Sequence, residues 1–113
     1  MKRGEIWQVN LDPTIGAEIQ KSRPAVIFND DSIGILPLKV IVPVTDWKPQ
    51  YGAASWMVKL EPDAANNLSK PSSVDCFQVR SISKMRFLYK LGSVSSSKMI
   101  EIETALKSVL KIF

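Results

Sequence analysis

The chain has 113 residues, with 15 Lys and Arg against 11 Asp and Glu, a formal net charge of +4, one cysteine and no histidine. That length specifies a single domain, 1–113, with one core that needs no staples. Absence of histidine excludes an imidazole base or metal ligand, and one cysteine excludes an internal disulfide and a thiolate zinc site.

Glu5 to Leu11 alternates, with Trp7, Val9 and Leu11 on one face at period two, and predicts a strand with one buried side. Asp12-Pro13 ends it, and the polar stretch to Ser22, containing Gly16, predicts a loop of functional length. Pro24 to Phe28 is a short apolar run closed by Asn29-Asp30-Asp31, a buried strand and turn. Lys39 to Thr45 is β-branched, and Pro43 within it predicts an edge position or a bulge, because proline donates no ladder hydrogen bond. Trp47 to Ala54, with Pro49 and Gly52, predicts a second long loop.

Ser55 to Leu60 alternates again, with Trp56, Val58 and Leu60 on one side. Asp63 to Ser72 is turn-rich with a short helical turn expected, Ser73 to Ile82 is β-type, and Phe87 to Leu91 is a short strand closed by Gly92. The period then changes. Met99, Ile102, Leu106, Val109 and Phe113 recur at helical spacing, and Ser95, Ser96 and Ser97 offer an N-cap. Six or seven short strands and one terminal helix predict a mainly β fold, an SH3-like or OB-like small barrel with the helix packed on it. No segment approaches the ~18 apolar residues of a membrane span, and the N-terminus turns polar too soon for a signal peptide. No membrane partner and a cytoplasmic location are expected.

The charge is uneven. Residues 76–92 hold Arg80, Lys84, Arg86 and Lys90 with no acid, which equals the whole net excess. Clustered bases of this kind neutralise phosphates, or simply solvate a strand face. Glu18 precedes Arg23 by five residues at the junction of loop and strand, and Thr45 ends a strand beside Asp46. A base and a cation there could converge on a phosphate; the plainer alternative is a surface pair. Gln78 and Arg80 share a face at period two. Trp47 is a candidate for base stacking, whereas Trp56 is expected to pack in the core and Cys76 to be a small buried hydrophobe.

Together these elements resemble one family. The run from Arg3 to Asp31, RGEIWQVNLDPTIGAEIQKSRPAVIFNDD, is similar to the opening of MazF/PemK-type toxins of bacterial toxin–antitoxin systems. VIVPVT (Val40 to Thr45), FQVRSISKMRF (Phe77 to Phe87) and KLG before the helix extend the likeness over nearly the whole chain. The resemblance implies the SH3-like barrel of the MazF, PemK and CcdB toxins, a homodimer, and metal-independent cleavage of single-stranded RNA (mRNA) to 2′,3′-cyclic phosphate and 5′-OH ends. By resemblance Arg23 and Thr45 match the family's essential arginine and threonine and Glu18 its loop glutamate; the chemistry of 2′-OH attack then assigns Glu18 as candidate base, Arg23 as phosphate clamp and Thr45 as hydroxyl donor. Lys21, Asp46, Trp47, Gln78, Arg80, Lys84 and Arg86 are the expected RNA-binding residues, and a cognate antitoxin is the expected protein partner.

Three departures from the family pattern bear on the site. Ile19, Lys21 and Ser22 stand where many members have a Gln and glycines. Asp46 follows the threonine, and its carboxylate would repel a phosphate unless it points away or reads a base. Phe77 stands where many members have an acid. The rival functions are a gyrase-poisoning toxin on the same barrel and a non-catalytic RNA- or peptide-binding module.

Overall fold

A computed structural model describes residues 1–113. Strand β1 (Glu5–Asn10) pairs antiparallel with β2 (Ser22–Ile27), which pairs with the nine-residue β3 (Leu38–Asp46). Beyond β3 come β4 (Met57–Leu60), β5 (Ser72–Asp75), β6 (Arg80–Ser83) and β7 (Phe87–Ser93), then helix α1 (Ser96–Leu110). The sheet runs β4-β5-β3-β2-β1-β7, with β6 also paired to β3. Ladder pairing does not close it into a complete barrel. The expected mainly β architecture with one C-terminal helix is present.

β3 organises the sheet by changing partner along its length. Leu38 to Ile41 pair with β6, and Val44 to Asp46 pair with β5. Pro43 faces Ala25 on the β2 side, and on the other side it falls between those two ladders. The expectation of an edge or a bulge is therefore corrected: β3 is central, and the proline occupies the gap where that side has no ladder partner.

Alternation along β1 to β3 feeds two cores. Val9, Leu11, Ala25, Ile27, Ile41 and Ile82 are buried on one face, with Trp7 packed on them and edge-to-face on Phe87 at 5.8 Å. Ile6, Val26, Val42, Val44 and Val74 are buried on the other, against Ile102, Ala105 and Leu106 of α1. Each valine, leucine or isoleucine among them contributes about 1.5–3 kcal/mol on removal from water. The period-two reading of Trp7, Val9 and Leu11 is borne out.

Elsewhere local hydrogen bonds interrupt what the pattern predicts as continuous. Asp75 Oδ1 accepts from Phe77 N at 3.1 Å and turns the chain into a 3-10 segment, Cys76–Gln78, so Ser73 to Ile82 is two strands rather than one. Cys76 is fully buried as expected, although in that turn rather than in a strand. Burial, reinforced by the Asp75 charge, pushes its thiol up to about 12. Between Asp63 and Ser72 there is a turn but no helix, because Asp63 Oδ1 takes the backbone N–H groups of Ala65 and Asn66. A 3-10 segment, Pro49–Ala53, lies within the second long loop.

β7 continues through Gly92, where a side chain has no room: a Cβ there would lie 2.2 Å from Ala65 O. Trp56 is not core; it is 40% exposed and meets Phe77 edge-to-face at 6.2 Å. α1 is capped by Ser95 Oγ, which accepts from Lys98 N at 3.3 Å. It stops at Lys111, left-handed at φ 57°, so Phe113 lies beyond the helix and exposed instead of completing the apolar stripe.

Candidate active site

The loop between β1 and β2 is held by distant groups. Lys21, at φ 67°, donates its N–H to Asp12 Oδ1 at 2.9 Å. Arg86 Nη1 donates to Asn10 O at 3.1 Å and Asp12 O at 2.5 Å. Gln78 Oε1 accepts from Ile19 N at 2.6 Å, and its Nε2 donates to Ala17 O at 3.2 Å. Glu18 is exposed, and its Oε1 accepts from Ile15 N at 2.6 Å within the same loop.

Two depressions flank the C-terminal half of β3. A cleft of about 200 Å³ brings together Arg23 and Pro24 of β2, Thr45 and Asp46 of β3, and Ser69 and Lys70 before β5. Arg23 is half-buried there, and its Nε donates to Gln20 O at 3.4 Å. Thr45 stands opposite Ser73 in the ladder and Asp46 opposite Ser72. Lys70 Nζ lies 3.1 Å from Asp46 Oδ1 and 3.2 Å from Oδ2. The acid that departs from the family pattern is thus neutralised in place.

A larger cavity of about 540 Å³ is lined by Glu18, Ile19, Pro43, Phe77, Gln78 and Arg80, among others. Glu18 and the Arg23–Thr45 pair therefore occupy adjoining depressions rather than one. Gln78 and Arg80 do share a cavity, but not as neighbours on a strand face: Gln78 ends the 3-10 turn and Arg80 begins β6.

The basic segment 76–92 divides. Lys84 is exposed, whereas Arg86 is committed to the loop carbonyls and Lys90 to Glu5 at 3.2 Å. Of the four bases, only Lys90 is paired with an acid; Arg86 keeps its positive charge while bonding to neutral carbonyls. Trp47 is half-buried, edge-to-face with Tyr51 at 6.0 Å, and Lys59 Nζ lies 4.8 Å from its ring centroid.

Sequence pattern missed Lys70 and Asp75. Lys70 is 24 residues from Asp46, and only the β3–β5 pairing brings it there. Asp75 is an acid inside a buried strand, 6% exposed, with burial driving its carboxyl above the usual range against hydrogen bonds from Phe77 and Gln78. No local signal marks either residue.

The chemistry available in the cleft is anion binding by a guanidinium beside a hydroxyl, with a carboxylate in the next cavity. No helix is long and apolar enough to cross a membrane. Comparison with known proteins agrees with the motifs. The family model for the PemK-like, MazF-like toxin of type II toxin–antitoxin systems matches residues 2–110. Endoribonuclease MazF9 of Mycobacterium tuberculosis is 33% identical over 125 residues, covering 100% of this chain and 98% of that protein. Endoribonuclease PemK of Escherichia coli is 35% identical over 112 residues, covering 97% and 82%.

Among solved structures, MazF from Deinococcus radiodurans superposes with a TM-score of 0.82 at 23% identity, covering 99% of this chain and 97% of that one. A mycobacterial endoribonuclease solved in complex with its cognate antitoxin gives 0.79 at 19% identity, covering 100% and 97%. At those identities the superpositions carry the fold.

Proposed function

This chain belongs to the family of PemK-like, MazF-like toxins of type II toxin–antitoxin systems, and on that premise we propose that it is an endoribonuclease that cuts single-stranded mRNA without a metal ion. The observation that carries the reading is the meeting of Arg23 and Thr45, 22 positions apart in sequence, in one cleft at the end of β3. Its relatives MazF9 and PemK are named endoribonucleases.

In this reading Arg23 clamps the scissile phosphate and Thr45 donates its hydroxyl to a non-bridging oxygen, so that charge accumulating on the phosphorane meets fixed donors. Glu18, on the loop beside the cleft, takes the proton of the ribose 2′-OH. The 2′-oxygen bonds to phosphorus, the bond to the 5′-oxygen breaks, and that oxygen takes a proton from solvent water to leave as a 5′-hydroxyl. The product on the other side is a 2′,3′-cyclic phosphate. For Glu18 to act on an RNA bound at Arg23, the strand must cross from the cleft into the other cavity, which Arg80 lines, and Lys21, Trp47 and Lys84 are further RNA contacts in this reading. The protein works in the cytoplasm as a homodimer and is held inactive by a cognate antitoxin whose acidic tail covers the same surface.

Incubation with single-stranded RNA in EDTA, followed by end analysis, tests this. Cyclic phosphate and 5′-OH ends are expected, and Arg23→Ala or Thr45→Val should lower the rate by about 10²–10³, the usual loss for one charge-stabilising donor. RNA left intact by the wild type, with DNA supercoiling inhibited instead, would select the gyrase-poisoning function.

A further inference from the structure

Asp75 takes no part in the chemistry above, yet its carboxylate is buried and fully engaged. Oδ1 closes the 3-10 turn on Phe77 N, and Oδ2 accepts from Gln78 Nε2 at 3.3 Å. A carboxylate only accepts, so the amide must present its NH2 end to Asp75 and its oxygen elsewhere. The second Nε2 hydrogen goes to Ala17 O at 3.2 Å and Oε1 receives Ile19 N at 2.6 Å. Ala17 and Ile19 are the two neighbours of Glu18. This loop belongs to no strand, so the side-chain amide of Gln78 supplies the pairing that an adjacent strand would have given.

We propose that Asp75 and Gln78 are positioning residues, Asp75 orienting the Gln78 amide and the amide holding the Ala17–Ile19 backbone so that Glu18 is presented at the cavity. The inference rests on Glu18 being the base. It also removes Gln78 from base readout while the loop is docked, because three of its four hydrogen-bonding positions are filled. Phe77, exposed beside it, also lines that cavity and meets Trp56 edge-to-face.

Gln78→Glu keeps the size but turns the donor end into an acceptor facing Asp75 Oδ2 and Ala17 O. Asp75→Asn sets a donor against a donor and inverts the amide, so that its NH2 meets Ile19 N. Two measurements are needed. In the RNA-free protein, hydrogen exchange at the Ile19 amide should quicken on the order of tenfold in both variants, while core amides of β2 and β3 stay protected. On RNA, kcat should fall with KM and cleavage-site preference unchanged.

Unchanged Ile19 protection in Gln78→Glu would overturn the proposal, as would a shift in cleavage-site preference with kcat retained, since that makes Gln78 a base reader. If Asp75→Asn does not fold, the Gln78 variant decides. A wild type that leaves RNA intact refutes the nuclease reading, and the exchange measurement then decides the clamp without it.

Discussion

Lys70→Ala exposes how the Arg23–Thr45 cleft balances its charge. Lys70 and Asp46 are 62% and 50% exposed, with Nζ 3.1 Å from Oδ1. At that separation Coulomb's law in bulk water gives about 1.3 kcal/mol, and ordering the lysine side chain leaves less than about 1 kcal/mol. A chain of 113 residues melts with an entropy of about 0.24 kcal/mol/K, so a loss of about 0.5 kcal/mol moves Tm by only about 2 °C. RNA binding is affected differently. Arg23, Lys70 and Asp46 sum to one positive charge in the cleft.

Lys70→Ala takes that sum to zero, Asp46→Asn raises it to two, and the double variant restores one. Affinity for a non-cleavable single-stranded oligonucleotide, by fluorescence anisotropy across a salt series, should fall in Lys70→Ala, rise in Asp46→Asn and return near wild type in the double variant. The salt slope should change by about 0.7 for each phosphate charge that the cleft ceases or begins to neutralise. Weaker binding in Asp46→Asn would refute the reasoning, because Asp46 would then be contacting a base or ribose directly. A fall in Tm above about 5 °C in Lys70→Ala would equally refute it, since it would make the pair a structural bridge.

Gly92→Ala drives a methyl group into the Ala65 and Asn66 backbone, held by the Asp63 and Asn66 side chains; a loss of about 1–3 kcal/mol, or about 4–12 °C in Tm, is expected in calorimetry. Ile102→Ala empties the fully buried contact between α1 and the sheet and should cost about 2–5 kcal/mol in urea unfolding. Burial acts to raise the pKa of Glu5, but hydrogen bonds from Trp7, Lys2 and Lys90 with the N-terminal charge outweigh it and bring the carboxyl from 4.5 to about 2. A carboxylate with a depressed folded pKa stabilises above its unfolded value and loses that stability as pH falls through the folded one. Wild-type Tm should therefore fall between pH 4.5 and 2 more steeply than that of Glu5→Gln, and parallel curves would remove Glu5 from the acid transition.

Most strands and the helix were legible in the sequence because alternation and 3.6-residue spacing are local consequences of burying one face. Trp7, Val9 and Leu11 on one core, and Ile102 and Leu106 on the other, follow from spacing alone. Boundaries failed where a single polar side chain captured a backbone N–H, as Asp75 does at the 3-10 turn that divides Ser73 to Ile82. Pro43 misled for a different reason. Proline excludes a ladder donor, but nothing local reveals that one strand can hand over between two partners and leave a gap.

The sequence by itself determined the fold class, the family and the inventory of reactive groups: no imidazole, one buried thiol, and Glu18, Arg23 and Thr45 in recognisable motifs. Which of those groups are free to act was decided only by the tertiary structure. Arg86 and Lys90, equivalent to Arg80 and Lys84 as sequence, are spent on loop carbonyls and on Glu5. Lys70 reaches Asp46, and the Gln78 amide brackets Glu18, across 24 and about 60 residues of chain. Periodicity reports which face of an element is buried. Partners from different elements are set by strand pairing, and a short-range pattern holds no record of them.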